Sequence, residues 1–294
     1  MSLVMLLKAV KERDGVVIKS LTHFNLNHTF LNGQCFRWEK TGDRRYRGIV
    51  GGRVLEVAET PGGIVLGPMT LQEYRDFFEE YFDLKRDYEA VNRSLSGRDF
   101  YLDEALTRVP GLRILNQEPF ETMISFIVSA NNNIPRIRHI LHRLSEAYGE
   151  AIGAGSYAFP TPEALARASL GELRALGTGY RDRFIQGAAR RVVDEGIRLE
   201  DLKSLDTLEA KRVLLEFDGV GNKVAECILL FSLGKWDVFP EDTWVKKIVR
   251  ELYSGQVKGY PGIRDFFNEY FGEGAGYAQQ VLFHWARNYR MGVK

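Results

Sequence analysis

Two side chains in the C-terminal third of the chain could together carry out nucleophilic chemistry, Lys223 and Asp242. Lys223 follows the turn Gly219-Val220-Gly221 and opens an apolar helical pattern, which predicts a position in the first turn of a helix. The partial positive charge at a helix start, with any burial, favours the neutral amine, and a neutral amine is a competent nucleophile. Asp242 precedes a second helical pattern, Thr243 to Tyr253, where it is placed to act as the N-cap.

Each of these features is ordinary when taken alone. A Gly-x-Gly turn is a routine connector, a lysine in a first helical turn is usually solvated, and an aspartate before a helix is usually only a cap. Their combination, in this order and at this spacing, is much more specific and favours a reactive site.

The turn before Lys223 is a candidate contact for phosphate. We expect Gly219 and Gly221 to take positive φ and to allow another backbone to approach closely. The first amides of the following helix lack partners within that helix and suit a phosphate oxygen. Cys227 lies four residues after Lys223 and is expected on the same helical face.

The composition sets broad limits on the class of protein. The chain has 294 residues, 45% of them hydrophobic, and a formal charge of +1, so any nucleic-acid contact must be a local basic face. The two cysteines, Cys35 and Cys227, argue against a disulfide scaffold and against a four-cysteine iron–sulfur cluster. We find no long apolar run and no signal peptide, which predicts an intracellular protein without membrane contact.

The order of the β-rich and helical patterns along the sequence predicts an α+β protein. Short β-rich runs separated by glycine turns extend from Val16 to Met69 and indicate an antiparallel sheet. A capping box at Thr70 opens a helix predicted to run through Phe82. The pattern from Gly111 onward is helical, so we predict an N-terminal β-rich domain over residues 1–110 and a helical domain over residues 111–294.

Three helices of the second domain can be outlined from the sequence. Residues 118–131 carry a buried apolar stripe that consists of Phe120, Ile124, Ile127 and Val128. Asp206 and Glu209 are predicted to cap a helix that ends at Phe217, and Gly234 is predicted to end the helix that begins near Asn222.

Five motifs spread over most of the chain carry a resemblance to one family. They are Gly33-Gln34-Cys35-Phe36-Arg37-Trp38, Asn131-Asn132-Asn133-Ile134-Pro135-Arg136, Leu176-Gly177-Thr178-Gly179-Tyr180-Arg181, the hairpin around Gly219 to Cys227, and Ala278-Gln279-Gln280-Val281-Leu282-Phe283. The set resembles the 8-oxoguanine DNA glycosylases of the helix-hairpin-helix (HhH-GPD) superfamily. This resemblance implies a bifunctional glycosylase and AP lyase in which Lys223 forms a Schiff base, Asp242 assists, and β-elimination follows.

The resemblance also implies a pocket for an extruded base. The carbonyl of Gly33 would accept from N7–H of 8-oxoguanine, a donor that guanine lacks. Cys227 and Phe283 would sandwich the base, and Gln279 would read its Watson–Crick edge. Gln279 and Phe283 are four residues apart and are expected on one helical face.

The remaining implied roles concern the duplex. Asn131 would fill the gap left by the extruded nucleotide, Arg136 and Arg181 would read the orphaned cytosine, and Tyr180 would act as an aromatic wedge. The chain departs from the eukaryotic pattern at Trp244, where a histidine associated with a DNA phosphate is usual. Trp244 offers an indole N–H or a stacking surface in its place.

The implied partner is double-stranded DNA that contains 8-oxoguanine, and the protein is expected to act as a monomer. No cofactor is required. A structural monovalent cation is expected at the hairpin, held by the backbone carbonyls of Leu215, Phe217 and Val220.

Two alternatives remain open from the sequence alone. One is a glycosylase of the same superfamily with another base specificity, such as alkylated bases or adenine opposite a lesion. The position of Lys223 argues against the monofunctional enzymes, and the Gly33 motif argues against other lyases. The second alternative is a non-catalytic DNA-binding module that uses the hairpin only for phosphate contact, which borohydride trapping on lesion DNA would distinguish.

Overall fold

The computed structural model describes residues 8–12, 15–19, 21–61, 63–153 and 155–290. The N-terminal part forms a six-stranded antiparallel sheet with the strand order β1-β2-β6-β5-β4-β3. Its strands are β1 (Lys8–Glu12), β2 (Gly15–Lys19), β3 (Trp38–Gly42), β4 (Arg45–Val50), β5 (Arg53–Thr60) and β6 (Gly63–Gly67). The predicted sheet is therefore confirmed.

The hairpin between β4 and β5 shows why the sequence folds in this way. Gly51 and Gly52 both have positive φ, 57° and 70°, which matches the twist needed in a two-residue hairpin turn. On β5, Leu55 and Val57 point to the core, whereas Glu56 between them is exposed. One face of the sheet is thus apolar and must be covered.

The chain also contains many helices, most of them after residue 110. They are α1 (Leu26–Phe30), α2 (Leu71–Glu73), α3 (Glu79–Tyr81), α4 (Tyr88–Leu95), α5 (Phe100–Arg108), α6 (Pro119–Ser129), α7 (Ile134–Tyr148), α8 (Pro162–Arg167), α9 (Leu170–Leu173), α10 (Asp182–Asp194), α11 (Thr207–Leu215), α12 (Asn222–Phe231), α13 (Thr243–Ile248), α14 (Ile263–Phe271) and α15 (Ala275–Trp285). A short two-stranded hairpin, β7 (Ala151–Gly153) with β8 (Ser156–Tyr157), follows α7.

Within the described ranges, seven further helical turns deviate from α geometry. Four have wider π-type hydrogen bonding and three are 3₁₀ turns. The wide turns are Tyr74–Phe78, Arg174–Thr178, Val249–Tyr253 and Ala286–Arg290, and the tight turns are Gly179–Arg181, Leu199–Ser204 and Gly272–Gly274. None of the helices in the described part of the chain is long and apolar enough to cross a membrane.

The predicted helix boundaries hold to within a few residues. Thr70 forms the expected capping box with Glu73, and the helical segment ends at Tyr81, one residue early. Asp206 caps α11 through a bond from the Glu209 amide. That helix ends at Leu215, and α12 ends at Phe231, so the predicted ends at Phe217 and Gly234 lie two to three residues too far.

The helix α6 is more deeply buried than its apolar stripe indicated. Nine of its eleven residues are buried, including the polar Thr122 and Ser125. It therefore lies in the middle of the helical part, and α12 packs along it.

The apolar cores of the two parts interleave along the sequence. The sheet core extends from Val16 to Leu115, whereas α4 and α5 belong to the helical core, where α5 packs against α15. The domain limit between residues 110 and 111 stays a prediction.

Trp38 is the centre of the sheet core. Its ring stacks on Phe30 with 4.0 Å between centroids, and its Nε1 donates to the Tyr81 hydroxyl at 2.9 Å. Gly48 lies opposite it on β4, and a Cβ at this position would be only 2.4 Å from Trp38 Cδ2. The glycine is therefore required by the close approach of the indole.

We expect Gly48→Ala to lower the free energy of unfolding by about 1–3 kcal/mol, because the added methyl group would overlap a buried indole that is stacked on Phe30. Denaturant unfolding measures this loss. Gly187→Ala on α10 is the control: a Cβ there meets nothing within 4 Å, and alanine favours the helix. Equal midpoints for the two variants would contradict the packing argument.

Candidate active site

The hairpin predicted from the sequence is formed by α11, a short loop and α12. Gly219 in the loop has φ 84°, and a Cβ there would be 2.7 Å from the ring of Phe184, so both the positive φ and a close approach are present. The close neighbour is a side chain, whereas a backbone was expected. Gly221 has φ −87° and nothing within 4 Å of a Cβ, so its predicted positive φ is wrong. It is the N-cap of α12, where the extended conformation suffices.

Lys223 is the second residue of α12 and is half-buried, as a first-turn position allows. Its Nζ donates to Ser129 Oγ at 3.2 Å and lies 4.8 Å from the centroid of the Phe126 ring. Ser129 Oγ in turn donates to the carbonyl of Phe126 at 2.7 Å. The amine is therefore held over the C-terminal end of α6 by residues that the sequence did not indicate.

Asp242 is the N-cap of α13, as predicted. Its Oδ1 accepts from the Val245 amide at 2.8 Å, which fixes the carboxylate by one oxygen. The helix continues through the wide turn to Tyr253, as the sequence pattern indicated. Asp242 faces the same cavity as Lys223.

That cavity brings together every residue predicted to bind the base or to react. It is lined by Asn32, Gly33, Phe126, Lys223, Cys227, Phe231, Pro240, Asp242, Gln279, Gln280 and Phe283. Its enclosed volume is about 40 Å³. Phe283 is the half-buried aromatic side chain among the lining residues.

The loop that carries Gly33 is fixed from several sides. Gly33 has φ 89°, which favours glycine, and its neighbours Asn32 and Gln34 are fully buried. Gln34 donates to the carbonyls of Thr29 and Arg113, and Gln280 donates to the carbonyl of Asn32 at 3.1 Å. Gln280 thus ties α15 to this loop, a contact that only the folded chain reveals.

Two further lining residues have distinct chemistry. Burial raises the pKa of the Cys227 thiol to about 11, so this side chain is a neutral thiol at physiological pH. Gln279 is 4% exposed, and its Oε1 is buried without a hydrogen-bond partner. A buried acceptor without a partner costs about 1–3 kcal/mol, so the amide is suited to an incoming donor.

A larger cleft of about 920 Å³ opens beside the cavity and shares Lys223 and Asp242 with it. The predicted DNA contacts Asn131, Gly219 and Gly221 line this cleft. So does a basic group that consists of Lys246, Lys247 and Arg250, together with Trp244. Lys247 Nζ lies 5.4 Å from the centroid of the Trp244 ring, so a cation and an indole are in contact at this side of the cleft.

The two arginines predicted to read the opposite base differ in their surroundings. Arg136 is exposed near the start of α7. Arg181 is 6% exposed, and its guanidinium donates to the carbonyls of Ala130, Asn131 and Thr178. Arg181 therefore braces the loop that carries Asn131, a role that the sequence did not suggest.

Tyr180 and Asn131, which are predicted to contact the duplex, both have exposed side chains. Tyr180 is 50% exposed with the Arg181 guanidinium 4.5 Å from its ring centroid, so a rigid aromatic ring projects beside the loop. Asn131 is exposed and has φ 48°, a conformation that asparagine tolerates well.

The carbonyls predicted to hold a cation lie at the hairpin. The Phe217 carbonyl accepts from the Val220 amide at 3.0 Å and retains a second lone pair. Coordination of a cation by Leu215, Phe217 and Val220 stays a prediction. Among the described residues, there is no group of three or more His, Cys, Asp or Glu side chains placed to hold a metal.

Two protein-family models match consecutive parts of the chain. Residues 16–123 match the model of the 8-oxoguanine DNA glycosylase N-terminal domain. Residues 124–271 match the model of HhH-GPD superfamily base excision DNA repair proteins.

Several named proteins are similar over most of their length. An N-glycosylase/DNA lyase of Arabidopsis thaliana is 30% identical, with 89% of this chain and 77% of the relative covered. A probable N-glycosylase/DNA lyase of Methanothermobacter thermautotrophicus is 33% identical, with 72% and 75% covered. The crystal structure of the Clostridium acetobutylicum 8-oxoguanine glycosylase/lyase, bound to duplex DNA with cytosine opposite the lesion, is 38% identical with a TM-score of 0.90 over 95% of this chain and 97% of that chain.

These matches span both the sheet and the helical part, and they overturn the alternative of a non-catalytic binding module. Two family models together match residues 16–271, and the N-glycosylase/DNA lyase relatives cover most of the chain. The chain therefore belongs to the 8-oxoguanine DNA glycosylase/lyase family of the HhH-GPD superfamily and is a DNA N-glycosylase with DNA lyase activity.

Proposed function

We propose that this enzyme excises 8-oxoguanine opposite cytosine in duplex DNA through a Schiff base on Lys223, followed by β-elimination. The observation that carries the proposal is the single cavity shared by Lys223, Asp242 and the unpartnered amide oxygen of Gln279. A nucleophile, a carboxylate and a buried acceptor are the groups that base recognition and sugar chemistry require.

Recognition of the lesion relies on acceptors. The Watson–Crick edge of 8-oxoguanine presents the donors N1–H and N2–H, which suit Gln279 Oε1. The carbonyl of Gly33 accepts from N7–H of the lesion, whereas guanine would place its own N7 acceptor there. An unpaired buried acceptor costs about 1–3 kcal/mol, which separates two bases of nearly the same shape.

The faces of the extruded base need new neighbours, because extrusion removes its stacking partners. Phe283 supplies an aromatic face. Cys227 supplies a small polarisable one, and its raised pKa of about 11 keeps the thiol neutral and free of charge repulsion. Both line the cavity, together with Phe126 below the amine.

In the first chemical step the neutral amine of Lys223 attacks C1′ of the sugar. The bond from C1′ to the base breaks, and the base leaves with the electron pair and takes up a proton. The carboxylate of Asp242 stabilises the positive charge that develops on the sugar. The amine proton passes to O4′ as the C1′–O4′ bond breaks, which opens the sugar ring and gives the protonated imine.

The imine then permits strand cleavage. A proton leaves C2′, the electron pair forms a C2′–C3′ double bond, and the bond from C3′ to its phosphate oxygen breaks. The strand is nicked on the 3′ side of the lesion, and hydrolysis of the imine returns Lys223 as the free amine. No cofactor enters these steps.

The duplex is proposed to lie along the basic cleft as a substrate of the monomeric enzyme. Lys246, Lys247 and Arg250 offer sequence-independent contacts to phosphate, as do the amides at Gly219 and Gly221. Asn131 fills the gap in the duplex, and Tyr180 is the wedge beside it.

We expect Lys223→Gln to abolish base excision and borohydride trapping on DNA with 8-oxoguanine, while DNA binding persists, because only the nucleophile is removed. Trapping followed by denaturing electrophoresis measures this. Lys258→Gln is the control, since it removes an exposed amine that lines neither the small cavity nor the basic cleft. Trapping that persists in Lys223→Gln would place the nucleophile elsewhere.

We expect Asp242→Asn to lower single-turnover excision severely while lesion affinity is kept. The amide oxygen can still accept from the Val245 amide, so capping falls by a few tenths to about 1 kcal/mol, but the charge is lost. Asp206→Asn is the matched control, because Asp206 caps α11 through a 2.8 Å bond and lies outside the cavity. If the excision rate of Asp242→Asn falls no more than its loss of stability accounts for, as in Asp206→Asn, then Asp242 acts only as a helix cap.

We expect excision opposite cytosine to be about tenfold to a hundredfold faster than opposite adenine. Cytosine offers the acceptors N3 and O2 to two guanidinium groups, whereas adenine leaves one without a partner at a cost of roughly 1.5–3 kcal/mol. Arg136→Ala should flatten this preference, since the Arg136 side chain is exposed near the start of α7, whereas the likewise exposed Arg108→Ala should not.

Single-turnover rates on duplexes with each of the four opposite bases provide the measurement. Arg181→Ala is less informative, because this side chain also braces the Asn131 loop. Equal rates opposite all four bases in the unmutated enzyme would show that the arginines do not read the partner strand.

A further inference from the structure

A buried ion-pair network lies directly behind the cavity. Glu226 on α12 is 1% exposed and is three residues from Lys223. Its carboxylate accepts from Lys211 Nζ at 2.6 Å and from Arg264 Nε at 2.6 Å. Because a buried carboxylate must be compensated, α12 is fixed to α11 through Lys211 and to α14 through Arg264.

Arg264 also reaches a second carboxylate. Its Nη1 lies 4.0 Å from Glu241 Oε2, and the other oxygen of Glu241 lies 3.3 Å from Lys246 Nζ on α13. Glu241 immediately precedes Asp242. The Arg264 guanidinium therefore lies between the carboxylates of Glu226 and Glu241. Glu226 is about one helical turn from Lys223, and Glu241 is next to Asp242 in the sequence.

We propose that Arg264 is a positioning residue for base excision, which bridges Glu226 and Glu241 and thereby sets the distance between Lys223 and Asp242. This inference rests on the proposed roles of those two residues. The planar, forked guanidinium can serve two carboxylates at fixed angles, which the single ammonium of a lysine cannot reproduce. A displacement of about 1 Å between reacting groups can cost on the order of a hundredfold in rate, so the bridge matters even though it does not touch the substrate.

Lys211 provides a matched comparison within the same network. It pairs with the same carboxylate at the same distance as Arg264, and its side chain is similarly exposed, at 20% against 26%. The ion pairs of the described residues do not link it to Glu241. Loss of Lys211 therefore removes one of the two cations that compensate the charge of Glu226. It leaves the contacts of Arg264 with Glu226 and Glu241 intact.

The test compares Arg264→Lys with Lys211→Gln by the single-turnover excision rate at saturating 8-oxoguanine duplex, the Kd for that duplex and the Tm. We expect Arg264→Lys to lower the rate about tenfold to a hundredfold with an unchanged Kd, as expected for misaligned reacting groups. Lys211→Gln should lower the Tm and leave the rate unchanged. A merely structural Arg264 would lower the Tm without lowering the rate of the folded enzyme, and that result would overturn the proposal.

Glu241→Gln is the second variant, needed if Arg264→Lys does not fold. It keeps the size of a side chain at the edge of the network, and we expect the same loss of rate with little change in Tm. An unchanged rate would overturn the proposal. The double variant with Arg264→Lys should be no slower than the slower single variant, because both remove one bridge.

Borohydride trapping of the unmutated enzyme separates this inference from the proposed function. If the unmutated enzyme is not trapped, the Schiff base on Lys223 is wrong and the positioning role falls with it. If it is trapped and the variants at Arg264 and Glu241 react at the unmutated rate, only the positioning role is overturned.

Discussion

The packing of α12 against α6 is the constraint on which the reactive site depends. Both helices are buried on nearly all sides, so neither can turn about its axis without exposing apolar surface or creating a cavity. This packing brings the first turn of α12 over the last turn of α6, where Ser129 and the Phe126 ring meet the amine of Lys223. The direction of the amine is therefore set by the core, although the amine itself remains accessible from the cleft.

The sheet contributes to the site through one loop and not through its strands. Gly33 lies just after α1. The Asn32 backbone carbonyl accepts from Gln280, and the Gln34 side-chain amide donates to the Arg113 carbonyl and accepts from the Leu115 amide, so this loop is connected to the helical part. Each bond is buried, so its loss would leave a polar group without water. The stacked core around Trp38 supports α1 from the other side.

Local signals in the sequence were sufficient for strands β4, β5 and β6 and for several helix caps. The cavity residues Gly33, Cys227, Gln279 and Phe283 were instead inferred from the resemblance of whole motifs to a known family. Capping residues such as Thr70, Asp206 and Asp242 act within one helical turn, and glycine turns mark the hairpins. The sequence was not sufficient for Ser129, Gln280 or the bracing role of Arg181, because their partners lie far away in the sequence. Gly221 illustrates the same limit, since whether a glycine needs positive φ depends on the path of the chain around it.

The polar groups of the cavity show how function and stability are separated in this fold. Gln279 keeps an amide oxygen without a partner at a buried position, which costs the unliganded protein free energy. The surrounding residues limit that cost to one small cavity, since the neighbouring Gln280 and Gln34 amides are hydrogen-bonded to backbone carbonyls. The hydrogen-bonded amides of Gln34 and Gln280 thus hold the Gly33 loop in place, whereas Gln279 Oε1 and Asn32 Nδ2 at the same cavity have no hydrogen-bond partner in the described part of the chain. A site of this kind can favour one base over another only because its walls do not relax to satisfy the free acceptor themselves.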